Sequence, residues 1–295
     1  MLFSSTECRA WFSVVMAESV AVRMVNLVTI VVFMKNRNLR RRSLYLVLNL
    51  AVADMLVGGL STIHLFTLLG LFCDRPIDRS LWGKYTITFL FYFCPLSSII
   101  NIVVISLERL HATFLPFRHR FIKKWEYGVT IAVVWFIAAA VSATLVVIAY
   151  WKEEPKKAHH YVWQLFNLSC LFIIGVSYAG IVKKIYFGRR PQHHGAASRE
   201  RKLTLTLFIM TLVSLLMYLP LVIGSFLRLS TNTLNSLPKS TTKRMKFPLI
   251  LLYYGNSLVN PLLYAIRIPE FKKALFSIFR RQQRQVEVFG LRPMY

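Results

Sequence analysis

Seven apolar runs, each long enough to cross a bilayer, constrain this chain more than any other feature. They lie at roughly Trp11–Met34, Leu44–Leu71, Leu81–His111, Tyr127–Tyr150, Tyr161–Ile185, Leu203–Leu227 and Phe247–Ile266. A helix needs about 20 such residues to traverse the hydrocarbon core. Of the 295 residues, 56% are hydrophobic, more than the interior of a soluble domain of this size can hide. A spanning segment has no water to satisfy its peptide groups, so it must be a helix or part of a closed barrel. Runs of this length without strict alternation exclude the barrel. The sequence therefore predicts an all-α integral membrane protein, a seven-transmembrane helix bundle with short basic connectors. No internal repeat or low-complexity tract marks a second domain.

The net charge is +25, and its distribution sets an expected topology. With the N-terminus placed outside, the inner connectors and the tail hold 24 of the 37 Lys and Arg residues, and the outer segments hold 12. Arg23 lies inside the first span. The excess of Lys and Arg puts the N-terminus outside the cell and the tail in the cytoplasm, as expected for a multi-pass protein of the plasma membrane. Because spans separate these basic clusters, they do not form one nucleic-acid face; they anchor topology and contact anionic membrane lipids. No basic region precedes the first run and no small-residue cleavage site follows it, so the first span is expected to insert as its own anchor. The sequon at Asn167 falls within the fifth span, where it is not expected to be glycosylated.

Ionisable and amide groups inside a span cost free energy and point to function. Asp54, in "NLAVADML", falls near mid-bilayer. An isolated carboxylate there costs several kcal/mol unless it finds a cation or a set of donors. Asn26, Ser98, Asn256, Ser257 and Asn260 are oxygen-bearing candidates on other spans. They suit a small hard cation such as Na⁺, and also suit a satisfied polar cluster that glues helices together, the reading that spacing alone favours. Glu18 and Arg23 share the first span but lie five apart, poorly spaced to pair with each other.

Three spans carry internal prolines: Pro95, Pro220 and Pro261. Each removes a helical hydrogen bond and frees a carbonyl. Asn260 is expected to satisfy the one freed beside it, and Tyr264 lies one turn beyond the kink. Kinked spans around a buried carboxylate suit a bundle that switches between shapes. After Tyr264, "RIPEFKKALFSIF" places Phe271, Leu275, Ile278 and Phe279 at helical spacing among basic residues. This predicts a cytoplasmic amphipathic helix over 269–280 that closes the seven-span domain 1–280, with a short basic tail at 281–295.

In this order, these residues resemble the rhodopsin-type (class A) G-protein-coupled receptors across roughly residues 20–280. Asn26, Asp54 in "LAVAD", Trp82, Glu108-Arg109-Leu110, Pro116-Phe117, Trp135, Tyr178, Pro220 and Asn260–Tyr264 in "NPLLY" each stand where that family has a signature residue. The resemblance implies a sodium site of Asp54, Ser98, Asn256, Ser257 and Asn260. It implies a switch at Arg109, paired with Glu200 or alternatively Glu108, with Tyr178, Pro220, Pro261 and Tyr264 moving on activation. Arg109, Pro116 and Phe117 would contact a heterotrimeric G protein. Nucleotide exchange would follow outward movement of the sixth span. The ligand pocket would be lined by Phe91, Cys94, Pro95, Tyr218, Ile250 and Tyr254, mostly apolar and aromatic. With Lys152, Lys156, Lys157, Lys239, Lys243, Arg244 and Lys246 in the outer loops, this implies a lipid-like or anionic small extracellular ligand.

The chain also departs from that family. Lys84 stands where the third span usually carries a disulfide cysteine, so the usual bridge is not expected; Cys8 and Cys73 fall outside and are free to pair. Cys170 replaces a fifth-span proline, Tyr218 a sixth-span tryptophan and Ser214 an apolar core residue. The short second outer loop is similar to those of the melanocortin, cannabinoid, lysophospholipid and adenosine groups. Phe91 in place of an aspartate argues against a biogenic amine, and Tyr254 in place of a lysine against retinal. No cofactor is expected. The tail from Arg280 lacks Ser, Thr and Cys, so arrestin capture through it is not expected. No His/Cys/carboxylate constellation suggests an enzyme. A non-coupling decoy receptor and a cation relay built on Asp54 stand as alternatives; the absence of paired halves weighs against the relay.

Overall fold

The computed structural model describes residues 3–36, 44–73, 80–150, 158–187, 196–230, 239–267 and 271–277. Eight helices follow in chain order: α1 Ser5–Lys35, α2 Leu44–Phe72, α3 Leu81–Phe114, α4 Pro116–Phe121, α5 Lys124–Tyr150, α6 Ala158–Phe187, α7 Ala196–Ser230 and α8 Lys239–Arg267. All but α4 contain a stretch long and apolar enough to cross a membrane, seven in all, so the fold is the predicted all-α transmembrane bundle. Residues 271–277 form about two helical turns within the predicted amphipathic helix.

Local chemistry sets the helix ends. Ser4 caps α1: its hydroxyl accepts the Glu7 N–H at 3.2 Å, and the Glu7 carboxylate accepts the Ser4 N–H at 2.6 Å. This capping box starts α1 at Ser5, well ahead of the first apolar residue of the run at Trp11. Ser80 caps α3 by accepting the Gly83 N–H. Pro116 disfavours helical geometry at Leu115, so α3 stops at Phe114 and Pro116 opens the short α4. That connector helix was not foreseen from the sequence.

Helix α3 is the central post, touching α2, α5, α6 and α7, while α8 packs against α1, α2 and α7. The peripheral α5 buries only a stripe of Tyr127, Val134, Ala138, Ser142 and Leu145, and its other faces suit lipid. Between α1 and α2 the backbones meet closely. A Cβ added at Gly58 would lie 2.8 Å from Val22 Cγ1, so only glycine fits there. The Gly58 carbonyl accepts the Ser19 hydroxyl at 2.6 Å.

One end of the bundle is tied together. A disulfide joins Cys8 of α1 to Cys73 just after α2, with Cα atoms 6.1 Å apart. Phe3 is buried against Trp11 and against Phe247 of α8. At the opposite end Phe271 is buried between Phe33 of α1 and Tyr264 of α8, with ring centroids 5.5 and 6.2 Å away. This seats the terminal helix on the bundle.

Candidate functional site

Asp54 is wholly buried and receives three hydrogen bonds from two other helices. Ser98 of α3 and Ser257 of α8 each donate to Oδ1 at 2.8 Å, and Asn260 of α8 donates to Oδ2 at 2.7 Å. Four of the five residues grouped from the sequence therefore meet. Asn256 instead donates to the Tyr218 hydroxyl at 2.9 Å, which ties α8 to α7. The side-chain oxygens of Asn256 and Asn260 are buried without a partner. A carboxylate, two hydroxyls and the unpartnered Asn260 amide oxygen form an all-oxygen donor set, and that chemistry fits a sodium ion.

The kink at Pro261 is resolved differently from expectation. Pro261 cannot donate to the Ser257 carbonyl one turn earlier. Asn260 does not take over, because its amide is spent on Asp54. Asn26 of α1 supplies the missing donor, reaching the Ser257 carbonyl at 2.9 Å. Asn26 thus serves the backbone of α8 and not the carboxylate. A second polar chain, missed in the sequence apart from Trp135, runs across α5, α2 and α3. Trp135 donates to Asn49, and Asn49 donates to Asn101 at 2.7 Å.

At the end of α3, Arg109 is fully buried. Its Nε and Nη2 both bond the carboxylate of its neighbour Glu108, the alternative partner identified from the sequence. Glu108 also meets His119 Nε2 of α4 at 2.7 Å and accepts the Tyr127 hydroxyl of α5 at 3.1 Å. One carboxylate therefore gathers α3, α4 and α5. The side chain of Glu200, the other partner considered, lies outside the described residues. Close by, Tyr178 of α6 and Thr211 of α7 hold hydroxyls 3.1 Å apart. Pro116 and Phe117 on α4 are exposed, Phe117 to 78%.

Towards the Cys8 end, Cys94, Pro95, Tyr218, Ile250 and Tyr254 are buried and Phe91 is half-buried. The Phe91 ring packs on His64 of α2 at 4.1 Å and faces Trp163 of α6 at 6.3 Å. Tyr254 reaches His64 Nδ1 at 3.3 Å. Tyr253 lies 4.9 Å from Tyr218 and 6.0 Å from Trp163. His64, Trp163 and Tyr253 were not singled out in the sequence. Trp163 and the polar Gln164, set together in the apolar fifth span, were the signal for that part. Cys94 and Cys170 are free, buried thiols. Of the basic rim, Lys152, Lys156 and Lys157 and the side chains of Lys239, Lys243 and Lys246 lie outside the described residues. Arg244 pairs with Glu7 at 3.5 Å.

Residues 25–264 match the description "7 transmembrane receptor (rhodopsin family)". The chain belongs to that family. A rhodopsin-family receptor is a multi-pass membrane protein and a receptor, not an enzyme. The chain is similar to galanin receptor 2a of Danio rerio, 24% identical over 86% of this chain and 73% of that receptor. It is 26% identical to the thyrotropin receptor of Bos taurus over 80% of this chain, but spans only 32% of that protein. To the adenosine receptor A2a of Cavia porcellus it is 25% identical, over 83% of this chain and 66% of that one. These relatives are named for three different ligands, so they do not narrow the four groups suggested by the short outer loop. In this receptor Asp54 and Arg109 are wholly buried, and the described disulfide is the Cys8–Cys73 pair.

Proposed function

We propose that this receptor binds an extracellular ligand and catalyses nucleotide exchange on a heterotrimeric G protein. Its N-terminus faces outward and its tail lies in the cytoplasm of a cell whose plasma membrane it spans. The observation that carries this reading is Arg109, wholly buried and held by a Glu108 that is braced from α4 and α5. A buried cation has a strong reason to stay paired. Releasing it, with outward movement of α7 about the Pro220 region, would free Arg109, Tyr178 and Tyr264 to line a cleft. Exposed Phe117 beside it is an apolar anchor for the G protein.

The ligand would sit among Phe91, Cys94, Pro95, Tyr218, Ile250 and Tyr254, a lining that favours an apolar, lipid-like small molecule. The anionic alternative draws only on the basic rim. Asp54, Ser98, Ser257 and Asn260, with Asn256 beyond them, would hold an allosteric sodium ion and steady the resting arrangement. No other cofactor is invoked.

Basal GTPγS exchange on a panel of purified G proteins tests the proposal. Glu108→Gln is expected to raise exchange, and Arg109→Ala to abolish it. Silence of the wild type and both variants with every G protein would move the receptor to the non-coupling decoy class.

A further inference from the structure

On α6, three neighbouring side chains are buried with polar atoms that have no partner. They are Trp163 Nε1, both amide atoms of Gln164, and Asn167 Oδ1. Asn167 spends its own N–H on the Trp163 carbonyl at 2.8 Å, which leaves its oxygen as a pure acceptor. Across from them the Tyr253 hydroxyl of α8 is also buried and unpartnered. All four residues are at least nine-tenths buried: Trp163 6%, Gln164 2%, Asn167 0% and Tyr253 3% exposed. An unsatisfied buried polar group costs about 1–3 kcal/mol, so three such residues within five positions of α6, with Tyr253 6.0 Å from Trp163, are not neutral filling. Their surroundings are rings: Phe91 and Tyr92 of α3 each lie 6.3 Å from Trp163.

The chemistry of the set is specific. Trp163 can only donate, Asn167 Oδ1 can only accept, and Gln164 and Tyr253 do both. None carries a charge at neutral pH. A carboxylate brings acceptors only and would face the Asn167 and Gln164 oxygens. An ammonium brings donors only and would face the Trp163 and Gln164 N–H groups. A group with a carbonyl and an N–H side by side satisfies both halves. We propose that Trp163, Gln164, Asn167 and Tyr253 form a head-group site for a neutral amide at the end of an apolar ligand. The inference rests on the ligand-binding reading above, and replaces its anionic option with a neutral one. Glu18 also leaves an oxygen unpartnered, beside Gly255 of α8, but one carboxylate does not define a head group.

Three amphiphiles with one chain and different heads decide the matter: dodecanamide, dodecanoate and dodecylamine, added to the purified full-length receptor in lipid nanodiscs. Affinity is read from the shift in thermal midpoint against ligand concentration. Dodecanamide is expected to bind at least tenfold more tightly than either charged relative. Gln164→Leu combined with Asn167→Leu is expected to melt no lower than the wild type without ligand, since it removes unsatisfied atoms, yet to lose the amide shift. Should that double variant not fold, Tyr253→Phe, which deletes one hydroxyl, is expected to weaken the amide about fivefold, the size of one hydrogen bond. No amide shift, equal affinity for all three heads, or full amide binding by the variants would overturn the proposal. Preference for dodecylamine would overturn it in favour of Glu18. Basal nucleotide exchange by the wild type and Glu108→Gln needs no ligand, so a failed amide site and a failed receptor reading give different results.

Discussion

Asn26 shows how one side chain can underwrite a kink in another helix. Pro261 leaves the Ser257 carbonyl without its helical donor, and Asn26 reaches across from α1 to supply one. Asn26→Leu should therefore strand a buried acceptor and cost about 1–3 kcal/mol. In a Pro261→Ala background the helix regains its own N–H, and the same substitution should cost much less. Thermal unfolding of the four proteins in that cycle checks the coupling; equal costs in both backgrounds would show that Asn26 acts elsewhere. Asp54 allows a second test. Asp54→Asn keeps the shape of the side chain, and the Ser98 and Ser257 hydroxyls can turn to accept from its NH2 while Asn260 still donates to its oxygen, so the fold should stay intact. What it should remove is the response to sodium. The wild-type thermal midpoint is expected to rise in NaCl over choline chloride at equal ionic strength, and that of Asp54→Asn to stay put.

Between α1 and α2 the contact is made by absence of a side chain. Gly58→Leu would push against Val22 across a gap with no room for a Cβ, and overpacking of this kind costs about 1–3 kcal/mol. The expected result is a lower thermal midpoint with ligand binding kept in the fraction that folds. The Cys8–Cys73 disulfide joins the same pair of helices. A loop of this length is worth about 4 kcal/mol when the unfolded chain is free in water. Here both helices remain inserted after unfolding, so their ends are already close. Reduction is accordingly expected to cost well under that figure, as read from thermal midpoints with and without a reductant. The helices themselves were legible in the sequence because bilayer thickness imposes a length that no short-range preference can disguise. Their ends were not. The start of α1 at Ser5 depends on capping in polar sequence, where hydropathy is silent. Asp54, Ser98, Ser257 and Asn260 were legible as a cluster because polarity in a span is costly. That Asn256 turns to Tyr218, and that His119 and Tyr127 brace Glu108, depends on side-chain reach between helices far apart in sequence.

Across the whole molecule, the two ends of the bundle are held by different physics. The Cys8 end is fastened by a covalent bond and by the packing of Phe3, Trp11 and Phe247. The Arg109 end is held by an ion pair and by hydrogen bonds that converge on Glu108. Covalent and apolar contacts resist separation continuously, whereas a polar cluster has discrete made and broken states. Large motion should therefore be confined to the Arg109 end, with Pro220 of α7 and Pro261 of α8 lying between the ends as places to bend. Weakening the cluster by about 1.4 kcal/mol should raise a minor open state about tenfold. Glu108→Gln is the mildest way to do so. Spin labels at Val129 of α5 and Leu205 of α7, both exposed, would report that end, because Cys94 and Cys170 are buried and Cys8 is bonded to Cys73. Labels at Leu165 of α6 and Ile223 of α7, also exposed, would report the other end. In Glu108→Gln the first pair is expected to gain a second, longer distance while the second pair keeps a single one. Broadening of both pairs alike would mean that the substitution loosens the whole bundle, and the polar cluster would then be a brace for the fold and not a latch.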